Sequence, residues 1–208
     1  MSKISLNLSS LLFLLTSFTL QAQDAEKRDE KGADFKAEIE QFVAELSNDY
    51  EQKTLNLRKR EIGSLENEPF AWKEYFMLES KEEFENNLGY TTEREYFFLF
   101  YHYATVEDRQ YALKYWLEDF IEGEQVRPGR PVRTYDYAIP TLILINPTNI
   151  IILNYECKYY DEYDFDDWKD QMIETFGDRA ETMVIEIECG GPLKWSLNAP
   201  DPKVRGLF

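Results

Sequence analysis

Apolar side chains recur along this chain with changing periods, and each period marks a different kind of element. From Asp34, the residues Phe35, Ile39, Phe42, Val43, Leu46 and Tyr50 fall at steps of three and four, with Leu57 continuing the stripe. Lys36, Glu38, Glu40, Glu45 and Asp49 take the other face. That pattern predicts an amphipathic helix capped by Asp34 and stopped near Gly63. Residues 71–79, with Trp72, Tyr75 and Phe76, read as a short helix. Ser80-Lys81-Glu82-Glu83 has the form of a capping box ahead of another, carrying Phe84 and Leu88 and closed by Gly89.

The period then changes. Residues 95–104 are aromatic or aliphatic on both parities and predict a strand buried on both faces. Thr105 opens a helix carrying Tyr111, Ala112, Tyr115, Trp116, Phe120 and Ile121, ended by Gly123, and a loop rich in Pro, Gly and Arg runs on to about Pro140. Residues 141–145 and 150–157 are strands joined by the turn Asn146-Pro147-Thr148-Asn149. Residues 164–176 form a helix with Phe165, Trp168, Met172 and Phe176 in step, and 182–189 alternate as a strand.

The order β-α-β-β-α-β is that of a ferredoxin-like α+β domain, a four-stranded antiparallel sheet with both helices on one face. Its doubly apolar first strand needs cover on the second face, which a helical segment over 34–91 supplies. The chain therefore divides into a signal peptide (1–22), a leader without large apolar side chains (23–33), the helical segment (34–91), the ferredoxin-like domain (92–190) and a C-terminal tail (191–208).

The signal reading rests on Lys3, the run Leu11–Leu15, then Phe18, Leu20 and the small-residue end Gln21-Ala22-Gln23. The apolar stretch is shorter than the ~20 residues a membrane span needs. Cleavage near Ala22 gives an exported chain, periplasmic or secreted, with no later run able to span a bilayer.

Charge narrows the partners. Forty acidic residues against 23 basic ones give −17, and losing Lys3 makes it −18. Such a chain repels nucleic acid and anionic lipid and suits a cationic partner, or simply carries a solvated acidic surface. Aromatics make up 15% of the residues, enough to fill a core or to line a sugar- or peptide-binding surface.

Cys157 and Cys189 are 32 residues apart, too far for a C-x-x-C redox pair; an even pair in an exported compartment suggests a structural disulfide, with two unpaired thiols the alternative. In a ferredoxin-like sheet they end the two strands flanking the first, ~9–10 Å apart, whereas bridged Cα atoms lie within ~7 Å. A bridge then requires both strand ends to run past the strand between them and curl inward.

His102 is the only histidine, which removes multi-histidine metal sites. Ser47, Ser64, Ser80 and Ser196 are the serines left after cleavage; none lies in G-x-S-x-G, so a Ser–His hydrolase is disfavoured. The acidic run 161–167 lacks the EF-hand frame: the sixth position is Asp166 counted from Asp161, or Lys169 counted from Asp164. Helix capping explains those acids, and neither metal nor cofactor is expected.

Two constellations remain. Arg127, Arg130 and Arg133, stiffened by Pro128 and Pro131, either hold an anion such as phosphate or carboxylate or pair with the protein's own acids. Asn154, Glu156, Glu186 and Glu188 would flank the aromatic strand in a shallow groove, suited to sugar binding or glycoside hydrolysis, if their strand faces coincide. Otherwise they are a solvated sheet edge. The first expectation is a non-catalytic binding module for a peptide, glycan or protein; the alternative is a small carboxylate-dependent hydrolase acting on envelope polysaccharide. A third, a subunit that docks through the helix at 34–60, requires an exposed apolar stripe there.

Overall fold

The computed structural model describes residues 32–54, 70–86, 89–120, 139–178, 180–191 and 193–195. The signal segment, residues 23–31 of the leader and the loop bearing Arg127, Arg130 and Arg133 lie outside the described residues. The chain divides into two compact units, 1–40 and 41–208. In the first, residues 32–40 are helical, with Phe35 and Ile39 buried. In the second unit residues 41–46 are also helical (both runs are labelled α1, 32–46), with Phe42 and Leu46 buried, so these described positions of the stripe that would dock a partner are not exposed.

The helix ends far short of Gly63. Ser47, Asn48 and Asp49 form a turn in which the Ser47 hydroxyl donates to the Ala44 carbonyl at 2.6 Å, because short polar side chains satisfy backbone groups that a helix would otherwise use. Strand β1 (Tyr50–Thr54) follows.

The largest correction concerns residues 71–88. In place of two helices there is one long strand, β2 (Trp72–Glu85), forming a hairpin with β3 (Thr91–His102). Phe76 and Leu78 point into the core two residues apart, a strand period that the aromatic neighbours Trp72 and Tyr75 disguise. Ser80 is no helix cap. It sits in a bulge where Ser80–Glu82 face Arg94 alone, accepting from the Arg94 amide at 2.8 Å and donating to the Glu82 carbonyl at 2.9 Å. At the hairpin end Gly89 takes a φ of 81°, a conformation that favours glycine.

Helix α2 (Val106–Phe120), strands β4 (Thr141–Ile145) and β5 (Asn149–Asn154), helix α3 (Glu162–Phe176) and strand β6 (Met183–Ile187) follow as the periodicity predicts. The tail supplies a short edge strand, β7 (Leu193–Trp195). Asp161 caps α3 by accepting from the Tyr163 and Asp164 amides.

The seven strands among the described residues form one antiparallel sheet in the order β1-β2-β3-β5-β4-β6-β7. The class is α+β, but the order is not ferredoxin-like. The edge of β3 that such a fold gives to its last strand is taken by β2, so β6 pairs with β4 instead. Nor do the helices share a face. Trp168 and Phe176 of α3, with Phe42 of α1, pack on Phe98 and Phe100. Ala112 and Leu113 of α2 join Leu99, Tyr101, Ile143 and Ile185 on the opposite face. Both faces are thus covered, which is why β3, β4 and β5 carry apolar residues on both parities.

Candidate functional site

On both sides of the bulge, one face of the β2–β3 hairpin is acidic. Glu79 lies directly opposite Glu95, and Glu83 directly opposite Glu93. On the other side of Glu79, β1 places Glu51 opposite it. Paired residues share a face, so Glu51, Glu79 and Glu95 form a row across three strands, with Glu83 and Glu93 alongside. Lys53, opposite Met77 on the same face, makes an ion pair with Glu79. Its pKa is raised above the ordinary 10.5, first by its hydrogen bond to Glu79, with Glu51 and Glu93 adding to the effect. Glu51, Glu83 and Glu93 are exposed.

Like charges directly opposite one another destabilise a sheet by a few tenths of a kcal/mol or more. Two such pairs in one hairpin are a cost that the fold itself does not require. Sequence reading missed this face because 71–88 were assigned to helices, where residues 79, 83 and 93 have no common geometry. The available signal was the acidic alternation at 79, 83, 85 and again at 93 and 95.

No family model matches this chain, and neither a curated protein nor a solved structure is detectably similar to it.

The groove residues do not come together. Asn154 pairs with Thr141, whereas Glu186 pairs with the next residue, Leu142, so the two lie on opposite faces of the sheet. Glu186 is buried under α3 and bonded to Lys169 at 3.1 Å. Glu156 lies beyond β5 and pairs with Lys158 at 2.9 Å, and Glu188 pairs with Lys194. Each of the three acids is held by its own lysine. Among the described residues no group of three His, Cys, Asp or Glu side chains could hold a metal ion, and no helix is long and apolar enough to cross a membrane.

Cys157 and Cys189 are bridged, with Cα atoms 5.4 Å apart. They still end two parallel strands, β5 and β6, but the strand between is β4. Its first ladder residue, Thr141, pairs with Asn154 and Ile187, so both cysteines lie past the start of β4 and meet across its end.

His102 is buried, its Nδ1 2.6 Å from the Asn149 side-chain oxygen and its ring stacked on Trp72.

One perturbed acid was not anticipated. Asp164, in the first turn of α3, accepts from Tyr96 Oη at 2.7 Å and from Arg94 Nη1 at 3.0 Å. Burial raises its pKa above the ordinary 3.8, against the lowering effects of Tyr96 and Arg94. The nearby Tyr50 hydroxyl is pushed up to about 12 by burial first and Asp164 second. A carboxyl whose folded value exceeds its unfolded one favours the fold when protonated. That contribution is complete below about pH 3.8 and is lost as pH rises through the higher folded value. The stability of wild type relative to Asp164→Asn is therefore expected to fall as pH rises from 3.5 to 7 in urea titrations; a flat difference would show that burial does not govern this group.

Proposed function

We propose that this chain is an exported, non-catalytic binding module that recognises a cationic protein or peptide segment on the acidic face of its β1–β2–β3 sheet. The observation that carries the reading is the direct opposition of Glu79 to Glu95 and of Glu83 to Glu93 on a face whose outer members are solvent-exposed. A lysine- or arginine-rich strand or loop laid across it relieves both repulsions at once, which is the electrostatic complementarity expected of a steered interface. Export is supported by the N-terminal pattern of residues 1–22 and by a disulfide of the kind that persists in oxidising compartments.

The test uses a labelled decalysine peptide as probe. Binding should weaken steeply with added salt. The double variant Glu83→Gln/Glu93→Gln should weaken it by about tenfold or more while raising stability by about 0.5 kcal/mol, since the opposed charges are gone. A control, Asp167→Asn/Asp170→Asn, removes the same charge from exposed positions of α3 and should leave affinity within about twofold. Equal losses in the two variants would mean that net charge alone draws the peptide, and the reading would fail.

A further inference from the structure

Among the described residues, Arg109 is a buried cation with no carboxylate partner. Arg109 lies on α2 in register with Ala112 and Leu113, the side chains that face the sheet, and it occupies the place an apolar residue would take in that stripe. Only 8% of its surface is exposed. Its Nε donates to the Pro147 carbonyl in the β4–β5 turn at 3.2 Å. The guanidinium carries five N–H donors in a planar fork, so four remain after this bond. No carboxylate pairs with it among the described residues. Asp108, its neighbour in sequence, is committed to Thr105 in the helix cap, and Asp178, near the far side of the turn, is committed to the amide of Ala180.

We propose that Arg109 anchors a binding site for a small oxyanion, a carboxylate or a phosphate or sulfate group, where the first turn of α2 meets the β4–β5 turn.

A buried charge without a counter-charge is costly. A planar oxyanion edge satisfies two guanidinium donors in parallel, which is why arginine rather than lysine serves such sites. The environment already weighs on the group: burial lowers its pKa from the ordinary arginine value, and nearby Tyr103 offsets this only in part.

The anchor is also rigid. The turn is fixed at Asn146, whose side chain donates to the Phe176 carbonyl at 2.7 Å and accepts from Thr182 at 2.7 Å. It is fixed again at Thr148, whose carbonyl accepts from the Tyr103 amide at 2.8 Å. The site lies at the end of β3 away from the acidic hairpin, so it stands or falls independently of the peptide-binding reading.

The test is thermal unfolding of the full chain in phosphate, sulfate or acetate, each compared with sodium chloride at equal ionic strength. A ligand at about tenfold its Kd should raise Tm by about 3–5 °C in wild type. Arg109→Met should abolish the rise and Arg109→Lys should reduce it at least threefold. A response to phosphate and sulfate but not acetate identifies a tetrahedral oxyanion; a response to acetate identifies a carboxylate. Should Arg109→Met fail to fold, the wild-type Arg109 Nε–H resonance supplies a second reading, moving saturably with the active anion. No anion-specific rise in wild type, or an equal rise in Arg109→Met, overturns the proposal and leaves Arg109 as a strap between α2 and Pro147.

Discussion

Replacing Phe98 by alanine is expected to lower stability by about 4 kcal/mol, near the upper range for a core aromatic. Phe98 is fully buried at the centre of the face beneath α1 and α3. Its ring meets Phe42 and Trp168 edge-on at 5.5 Å each and stacks near Phe76 at 5.5 Å. Truncation therefore removes transfer free energy and opens a void between elements that cannot close together. It also ends several aromatic pairs worth about 0.5–1.5 kcal/mol apiece. Phe97, its neighbour on the other face, is only partly buried and should cost less than half as much. Urea unfolding followed by tryptophan fluorescence measures both. Equal losses at 97 and 98 would show that the two faces of β3 are not the unequal environments seen here.

Phe98 also shows how far the sequence could be read. Aromatic residues on both parities of 95–104 announced a strand covered on each side, and that is what β3 is. The cover was misassigned. It comes from α3 and α1 on one face and α2 on the other, because the 3.6-residue stripe of a helix says which side is apolar but not which sheet face it meets. The hairpin partner was lost for a related reason. In Trp72, Tyr75, Phe76 and Leu78, steps of two and of three coexist, and length did not arbitrate because each half was short enough to be a helix. Once β2 is seen to occupy the outer edge of β3, the ferredoxin-like order cannot form and β6 must pair elsewhere.

The same step decided what could be known of the sites. Cross-strand opposition of Glu79 with Glu95 and of Glu83 with Glu93 exists only in a hairpin, so it was invisible while those residues were placed on helices. The groove proposed around Asn154 and Glu186 depended on two strand faces coinciding, and a register offset by one residue separates them. Arg109 could have been found from the sequence. It stands three and four residues before Ala112 and Leu113, a charged side chain inside an apolar stripe.

The second large effect concerns the cysteines, where a geometric objection became an explanation. Two strands separated by a third lie too far apart for a disulfide unless both run on past the middle one, and β5 and β6 do so past the start of β4. The bridge closes a loop spanning 32 residues that contains the 3₁₀ turn at Cys157–Tyr159, α3 and β6. Chain-entropy arguments give about 3–4 kcal/mol for a loop of that length. Cys157→Ala/Cys189→Ala is accordingly expected to lower Tm by about 10 °C, with dithiothreitol reproducing the shift in wild type and leaving the double variant unchanged. The linked residues are also those that bring α3 over Phe98, so the bridge restricts the unfolded chain near the arrangement that buries Trp168. Coupling between the two sites then becomes measurable. If the bridge acts only on the unfolded state, the losses from Phe98→Ala and from its removal add within about 0.5 kcal/mol. A shortfall well beyond that would mean the disulfide also holds α3 against the sheet in the folded protein.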